Sequence, residues 1–471
     1  MSTETATPAA IHWFRRDLRL ADNPALAAAA AHGAVVPVFV LDPETEALGA
    51  ASRWRLGLAL EELAASLRKA GSRLVLRRGE AAQVLPALAR ETGAAALHWQ
   101  RLDEPAWARR DRKVADAFAG TAVRCTAHPG HLLHAPAEVA TKTGGAYKVF
   151  TPFWNAIRGL DVAAPLGAPP LRAPQEWPET DTLADWHLAA GMNRGAAVVA
   201  AHVHVGETAA RARLDRFLES RLPAYRTDRD RSDRPATSGL SENLTLGEIS
   251  CRQVWAAARR HGGPGVEPFL RELGWREFAW HLLHHFPDLA RSNWREGWSG
   301  FPWRKDNDDA ERWRRGMTGE PLVDAGMREL FVTGTMHNRV RMVVASYLTK
   351  HLLTDWRVGL AWFEDCLIDW DPAANALNWQ WVAGSGPDAA PYFRVFNPEG
   401  QADRFDPDGA YRHRYLLGWG NGPASADAEA YFDAVPRAWA LDPNTPSPEP
   451  AISLAGGRQR ALAAYEDFRQ S

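Results

Sequence analysis

Cysteine is scarce: Cys125, Cys251 and Cys366 are the only three in 471 residues. An odd number without paired spacing excludes a disulfide framework and a thiolate zinc site, and points to a reducing compartment. No apolar run approaches the roughly 20 residues that a membrane span needs. The polar start Met-Ser-Thr-Glu-Thr-Ala-Thr lacks the character of a signal peptide. A cytoplasmic protein with no membrane partner is expected. Charge of one sign is also missing: 55 Lys and Arg face 57 Asp and Glu, for a net −2. That excludes a basic coat of the histone kind, while a local basic cleft remains open. There is no Gly-x-Gly-x-x-Gly and no Walker loop, so the usual dinucleotide and triphosphate fingerprints are absent. No repeat occurs. His281, His284 and His285 have helical ligand spacing, but no carboxylate motif joins them, and no metal is expected.

Tryptophan is abundant. The chain holds 21, most of them beyond residue 270, more than a core of this size requires, which favours stacking or electron transfer in the C-terminal half. At 46% hydrophobic and 24% charged, the sequence is that of a globular protein with room for two or three domains. Apolar runs at Ile11–Phe14, Val35–Leu41, Leu74–Arg77, Ala94–Trp99 and Val123–Ala127 read as strands. Helical runs lie between them: Pro24–His32, entered through Asn23 and left at Gly33, then Arg53–Ala70 and Pro105–Ala119. This βαβ rhythm predicts an α/β doubly wound parallel sheet over 9–130. Gly- and Pro-rich sequence over 131–205 predicts a linker draped over the surface. Apolar spacing of three and four over 206–471 predicts a domain that is nearly all helix.

Two segments carry candidate chemistry. Asp369 to Trp381 reads Asp-Trp-Asp-Pro-Ala-Ala-Asn-Ala-Leu-Asn-Trp-Gln-Trp. Carboxylates or an amide beside a flavin ring can set its charge, and nearby indoles can pass single electrons. A Trp-rich core with two capping aspartates would read the same way. Thr237-Ser238-Gly239-Leu240-Ser241 offers hydroxyls and free N–H groups ahead of a helix, which suits either a pyrophosphate or a plain helix cap.

These two segments do not stand alone. Trp-Phe-Arg-Arg-Asp-Leu-Arg-Leu-Ala-Asp-Asn at 13–23, Tyr-Lys-Val-Phe-Thr-Pro-Phe at 147–153, Glu-Leu-Gly-Trp-Arg-Glu-Phe at 272–278 and Met-His-Asn-Arg-Val-Arg-Met at 336–342 accompany them in order along the chain. Together they resemble the photolyase/cryptochrome family, with the nearest likeness to its bacterial class I cyclobutane-dimer branch. The resemblance implies an α/β antenna domain, a helical domain holding FAD that is active as FADH−, and damaged DNA as the partner of a monomeric enzyme. It places Tyr225, Thr237, Ser238, Gly239, Leu240, Ser241 and Phe269 around the FAD phosphates and ribityl chain. Asp369 should pair with Arg341, Asp371 should meet the flavin edge with Trp370 beside it, and Asn375 should stand next to flavin N5. A neutral amide there can bond N5 without adding negative charge, and Arg341 offsets Asp369.

Trp379, Trp356 and Trp303 match the family's electron-transfer tryptophans, although core packing is the commoner role for any one of them. The lesion pocket implied by the resemblance draws on Glu272, Trp275, Asn338, Met342 and Trp381, with Arg229, Arg276, Arg339 and Gln401 along the DNA backbone. Helical spacing puts Glu272, Trp275 and Arg276 on one face and Asn338 with Met342 on another. In an apolar cleft Glu272 would have a raised pKa and could donate a hydrogen bond. His337 has Asn338 where the (6-4) branch has a second histidine, which favours cyclobutane dimers as substrate. Three positions depart from the family pattern: Thr335 for a Trp, Glu242 for a Pro, and Trp370 for a small or apolar residue. The Cys-Lys pair that some members use to hold folate reads Ala290-Arg291, leaving the antenna open among methenyltetrahydrofolate, 8-hydroxy-deazaflavin or none. The expected function is light-driven repair of cyclobutane pyrimidine dimers. A cryptochrome-like photoreceptor and a (6-4) photolyase are the alternatives, and a dark flavin reductase lacks a nicotinamide fingerprint.

Overall fold

Five apolar runs pair into one parallel sheet in the order β3-β2-β1-β4-β5. The strands are β1 (Ala9–Phe14), β2 (Ala34–Leu41), β3 (Val75–Arg78), β4 (Ala94–Gln100) and β5 (Arg124–His128). The structure is a computed structural model and describes residues 9–388, 393–420 and 422–470. Residues of β1 and β2 are buried throughout, because helices cover both faces of the sheet. The helix Pro24–His32 starts as expected: the Asn23 side chain accepts from Leu26 N at 3.0 Å, and Pro24 takes the first turn. The expected helix Arg53–Ala70 runs Ala50–Lys69, and Pro105–Ala119 stops at Ala117.

The crevice between the carboxyl ends of β1 and β4 is where an open α/β sheet usually takes a nucleotide. Here side chains fill it. Arg110 lies 4.6 Å from the Trp13 ring and 4.5 Å from Trp107, Arg15 sits 4.6 Å over Trp13, and Arg16 sits 4.8 Å over Trp107. This ladder agrees with the missing dinucleotide fingerprint.

The expectation of a surface linker over 131–205 needs correction. Phe150–Ile157 forms a helix whose Phe150, Phe153 and Trp154 are fully buried in the helical domain. Three large apolar groups at spacings of three and four make one face too greasy for solvent. They pack on the long helix Val266–His285, which runs through the middle of the domain. Beyond it lie the helices Pro321–Thr333, Asn338–Ser346, Trp356–Cys366 and Pro372–Ala383, joined in a second apolar cluster. No helix among the described residues is long and apolar enough to cross a membrane.

Close approach sets one packing distance. A Cβ on Gly274 would come within 2.4 Å of Trp154 Cε3. Gly274→Ala should therefore lose ~1–3 kcal/mol of stability through overpacking, even though alanine is the better helix former by about 1 kcal/mol. Urea unfolding reads the difference, and a more stable variant would contradict this packing.

Candidate functional site

A cavity of about 630 Å³ opens in the helical domain, within the roughly 300–1,000 Å³ typical of small-molecule and cofactor sites. At its edge Asp369, with a side chain only 2% exposed, accepts from Arg341 Nη2 at 2.7 Å. A carboxylate so deep needs a cation. Arg341 is itself steered by a bond from Nε to Met336 O of 2.7 Å. The other Asp369 oxygen, Oδ1, is buried without a partner, as is His337 Nε2.

The helix Pro372–Ala383 presents Asn375, Asn378, Trp379 and Val382 to the cavity at spacings of three and four. Asn375 Nδ2 donates to Asp371 O at 3.0 Å, which leaves its carbonyl and second N–H for a ligand. Trp379 is 2% exposed and meets Phe363 edge-on at 5.0 Å. All five residues of Thr237–Ser241 line the same cavity, as does Tyr225. A paired but half-satisfied carboxylate, a neutral amide, an oxidisable indole and a loop of N–H donors fit a flavin nucleotide: hydrogen-bonding ring edge, reactive nitrogen and pyrophosphate each find a group of matching chemistry.

The rim carries Glu272, Arg229, Asn338 and Met342. Glu272 is ion-paired with Arg229, yet burial raises its pKa against the pull of that arginine. Burial pushes His337 down to about 4, so it is neutral. Beside the rim a shallower hollow holds Arg339, Gln401, Arg394 and Arg404. Arg339 pairs with Asp230 at 3.0 Å and lies 4.5 Å over Phe405.

Several expected site residues are turned elsewhere. Asp371 does not meet the cavity: it caps its helix through Ala374 N at 2.8 Å and accepts from Trp280 Nε1 at 2.9 Å. Trp370 is buried in the apolar cluster, and Phe269 stands behind Tyr225 at 5.6 Å. Arg276 does not share an outward face with Glu272. One turn further along, its guanidinium is mostly buried, donating to His131 O at 3.1 Å and lying 3.7 Å from Asp371. Trp275 is stacked on Phe150 at 3.6 Å and 8°, a partner supplied by the buried helix in the expected linker. Trp381 is partly exposed and donates to Asp388 O at 2.9 Å.

Trp379, Trp356 and Trp303 lie on adjoining segments. The Trp379 ring packs against Gly359 of the helix that Trp356 begins; a Cβ there would fall 2.1 Å from its Cη2. Trp356 is fully buried, its Nε1 donating to Asn293 Oδ1 at 2.9 Å. The bonds Arg304 N to Leu353 O, 2.8 Å, and Asp355 N to Arg304 O, 2.9 Å, set Trp303 and Trp356 at the two ends of one bridge. Trp303 is partly exposed, 4.4 Å from Phe301.

Residues 10–175 match the DNA photolyase family model, and residues 269–467 match the FAD binding domain of DNA photolyase. A deoxyribodipyrimidine photo-lyase of Agrobacterium fabrum is 44% identical over all of both chains. The chain belongs to the photolyase/cryptochrome family. A crystal structure titled as a bacterial class III photolyase from Agrobacterium tumefaciens superposes with a TM-score of 0.91 at 43% identity, covering both chains entirely. A Synechocystis cryptochrome superposes at 0.84 with 27% identity, over 98% of this chain and 100% of that one. The motifs resemble the class I branch while one matched structure is titled class III; membership of the family holds for both. Among the positions that depart from the family pattern, Thr335 lines the cavity and bonds Thr333 Oγ1 at 3.1 Å through its backbone N–H. Glu242 forms buried ion pairs with Arg55 and Arg213.

Sequence reasoning missed Glu329, Tyr411 and Arg414, which also line this cavity. They belong to no motif, and only the fold brings 329 beside 411. Glu329 accepts from Tyr411 OH at 2.5 Å and His337 N at 3.1 Å. Burial outweighs both and pushes its carboxyl from 4.5 to about 7. A raised folded-state pKa gives stability that is complete below about 4.5 and is lost as pH rises through about 7. In the apoprotein, Glu329→Gln should flatten this slope and gain ~1–2 kcal/mol on wild type at pH 8 relative to pH 5. Urea unfolding at the two pH values measures it, and an unchanged difference would contradict the assignment.

Proposed function

We propose that this protein repairs cyclobutane pyrimidine dimers in DNA, driven by blue light and using FAD held in the helical-domain cavity. The observation that carries the reading is one cavity lined by the Asp369–Arg341 pair, Asn375, Trp379 and the Thr237–Ser241 loop. When bound, reduced FAD would supply on excitation the electron that opens the dimer and would take it back once the ring has split. The residues of the chain do the rest. Arg341 takes one Asp369 oxygen, and the other is left to accept from a ring N–H. Asn375 offers a neutral amide, which tolerates a negative ring without repelling it. Trp379, Trp356 and Trp303 carry an oxidising equivalent from the buried cavity to the partly exposed Trp303, so the cofactor can be reduced in light.

The lesion would enter over Glu272, Asn338 and Met342. Flipping a dimer costs a few kcal/mol, and each stacked base can return roughly 1–3 kcal/mol; Trp275, backed by Phe150, and Trp381, both partly exposed, are the rings for it. Arg229 leaves Glu272 for a DNA phosphate as the strand binds. Glu272, then buried and unpaired, takes up a proton and donates to a dimer carbonyl. Arg339 and Gln401 hold the backbone, a contact without base choice. Arg276 is left out of this set, since its donors are spent inside. One chain supplies every group, so a monomer suffices.

Illuminated, chemically reduced enzyme should restore thymine cyclobutane dimers in DNA and leave (6-4) products, because Asn338 cannot act as an imidazole acid. Repair of (6-4) products alone would overturn the substrate. Repair of neither, with the flavin still photoreduced, would favour a photoreceptor. Trp379→Phe should abolish photoreduction of oxidised FAD while pre-reduced enzyme still repairs. Photoreduction at the wild-type rate would move the electron path to Trp313, 6.1 Å from Trp379.

A further inference from the structure

The Thr237–Ser241 loop is held by charges that reach back into the α/β domain, and of these Arg213 and Glu242 border the same cavity. Arg213, on the helix Gly206–Ser220, donates from Nη1 to Gly239 O at 2.5 Å and to the Glu242 carboxylate. Arg221 Nη1 donates to Thr237 O at 3.0 Å. Two carbonyls of the loop thus point to guanidinium groups. In a trans peptide the N–H lies opposite the C=O, so the N–H groups of Ser238 and Leu240 turn away from those guanidinium groups, on a loop that lines the cavity. Gly239, at φ 66°, makes the reversal between them. Among the described residues the backbone N–H groups of Ser238, Gly239 and Ser241 have no acceptor within the protein, and Leu240 N has only a long 3.4 Å bond to Ser238 Oγ. Successive free N–H groups form a concave anion site.

The clamp has an anchor. Glu242, the residue that departs from the family pattern, is buried with a side chain 3% exposed, and its other oxygen lies 3.3 Å from Arg55 Nε. Arg55 comes from the helix Ala50–Lys69 of the α/β domain, is fully buried, and holds Glu248 at 2.6 and 3.0 Å. Asn243 Nδ2 ties Glu248 to His204 O with bonds of 2.6 and 2.7 Å. Arg213 Nη2 meets His204 Nδ1 at 2.6 Å. Burial, then the Arg213 charge, lower the His204 pKa. Two arginines balance two glutamates, and no charge is left without a partner.

We propose that Arg55, Glu242 and Arg213 are positioning residues, a relay by which the α/β domain sets the orientation of the cofactor loop for a pyrophosphate. This rests on the proposed FAD site. Arg55 touches neither the loop nor the cavity, so its effect on cofactor binding passes through Glu242 and through the Glu248, Asn243 and His204 contacts beside it.

The experiment is reconstitution of apoprotein, read by quenching of flavin fluorescence, with inorganic pyrophosphate and adenosine as competitors of FAD. Wild-type apoprotein that binds no FAD would sink the site itself, whatever the relay does. With FAD bound by wild type, Arg213→Met and Glu242→Gln should each raise the FAD Kd at least tenfold and weaken competition by pyrophosphate by the same factor, leaving adenosine unchanged. Arg213→Lys should recover part of the loss. Arg55→Met, checked for its fold by circular dichroism, should behave like Glu242→Gln. Equal weakening toward pyrophosphate and adenosine would mean general damage to the cavity, and wild-type affinity in Arg213→Met and Glu242→Gln would mean that the loop orients itself; either result overturns the relay.

Discussion

A buried carboxylate with one oxygen paired and one left over governs this molecule. Asp369 has Arg341 on one side and nothing on the other. Burial of an ionised group without full compensation is expensive, and the expense is tolerable only where a ligand will complete the set. The surrounding architecture serves that pair. Arg341 is aimed by Met336 O, so the turn before the helix Asn338–Ser346 has to be where it is. Asp371 caps the helix Pro372–Ala383 and so sets which face carries Asn375 and Trp379 inward.

Close packing does the rest of the positioning. Gly274 lets Trp154 lie against the long helix, and Gly359 lets Trp379 lie against the helix that begins at Trp356. Without those two approaches the indoles would stand off by the width of a methyl group, and a pocket wall made of rings would lose its shape. The same logic explains the abundance of tryptophan: some indoles, such as Trp154 and Trp280, are core, while Trp379, Trp356 and Trp303 follow one another along adjoining segments toward solvent.

Much of this was legible in the chain. Strand ends fell within two residues because Asn23, Pro24, Gly33 and their like punctuate the α/β half, and the helical half followed from spacings of three and four. Contiguous motifs also pointed to Thr237–Ser241, Arg341, Asp369, Asn375, Trp379, Glu272, Asn338 and Met342, which the fold gathers on one cavity. What sequence could not give was the direction of side chains whose partners are distant in the chain. Trp275 turns to Phe150, Arg276 to His131, and Asp371 to Trp280. Helical spacing puts Glu272 and Arg276 on one face, but a reach of one turn carries the second into a buried pocket of acceptors. Arg55 and Arg213 had no signal at all, since an arginine on an amphipathic helix reads as solvated surface until its acid is known. Glu242 did carry one, as a charged residue where the motif has proline.

The measurement closest to the central claim is the chromophore content of the purified protein, wild type beside Asp369→Asn. That substitution keeps the shape of the side chain but removes the charge that Arg341 balances and replaces an acceptor with a donor. The account predicts close to one FAD per wild-type chain and at least tenfold weaker retention in a folded Asp369→Asn protein. Wild-type protein that neither carries nor takes up FAD, or an Asp369→Asn variant with undiminished affinity, would contradict it.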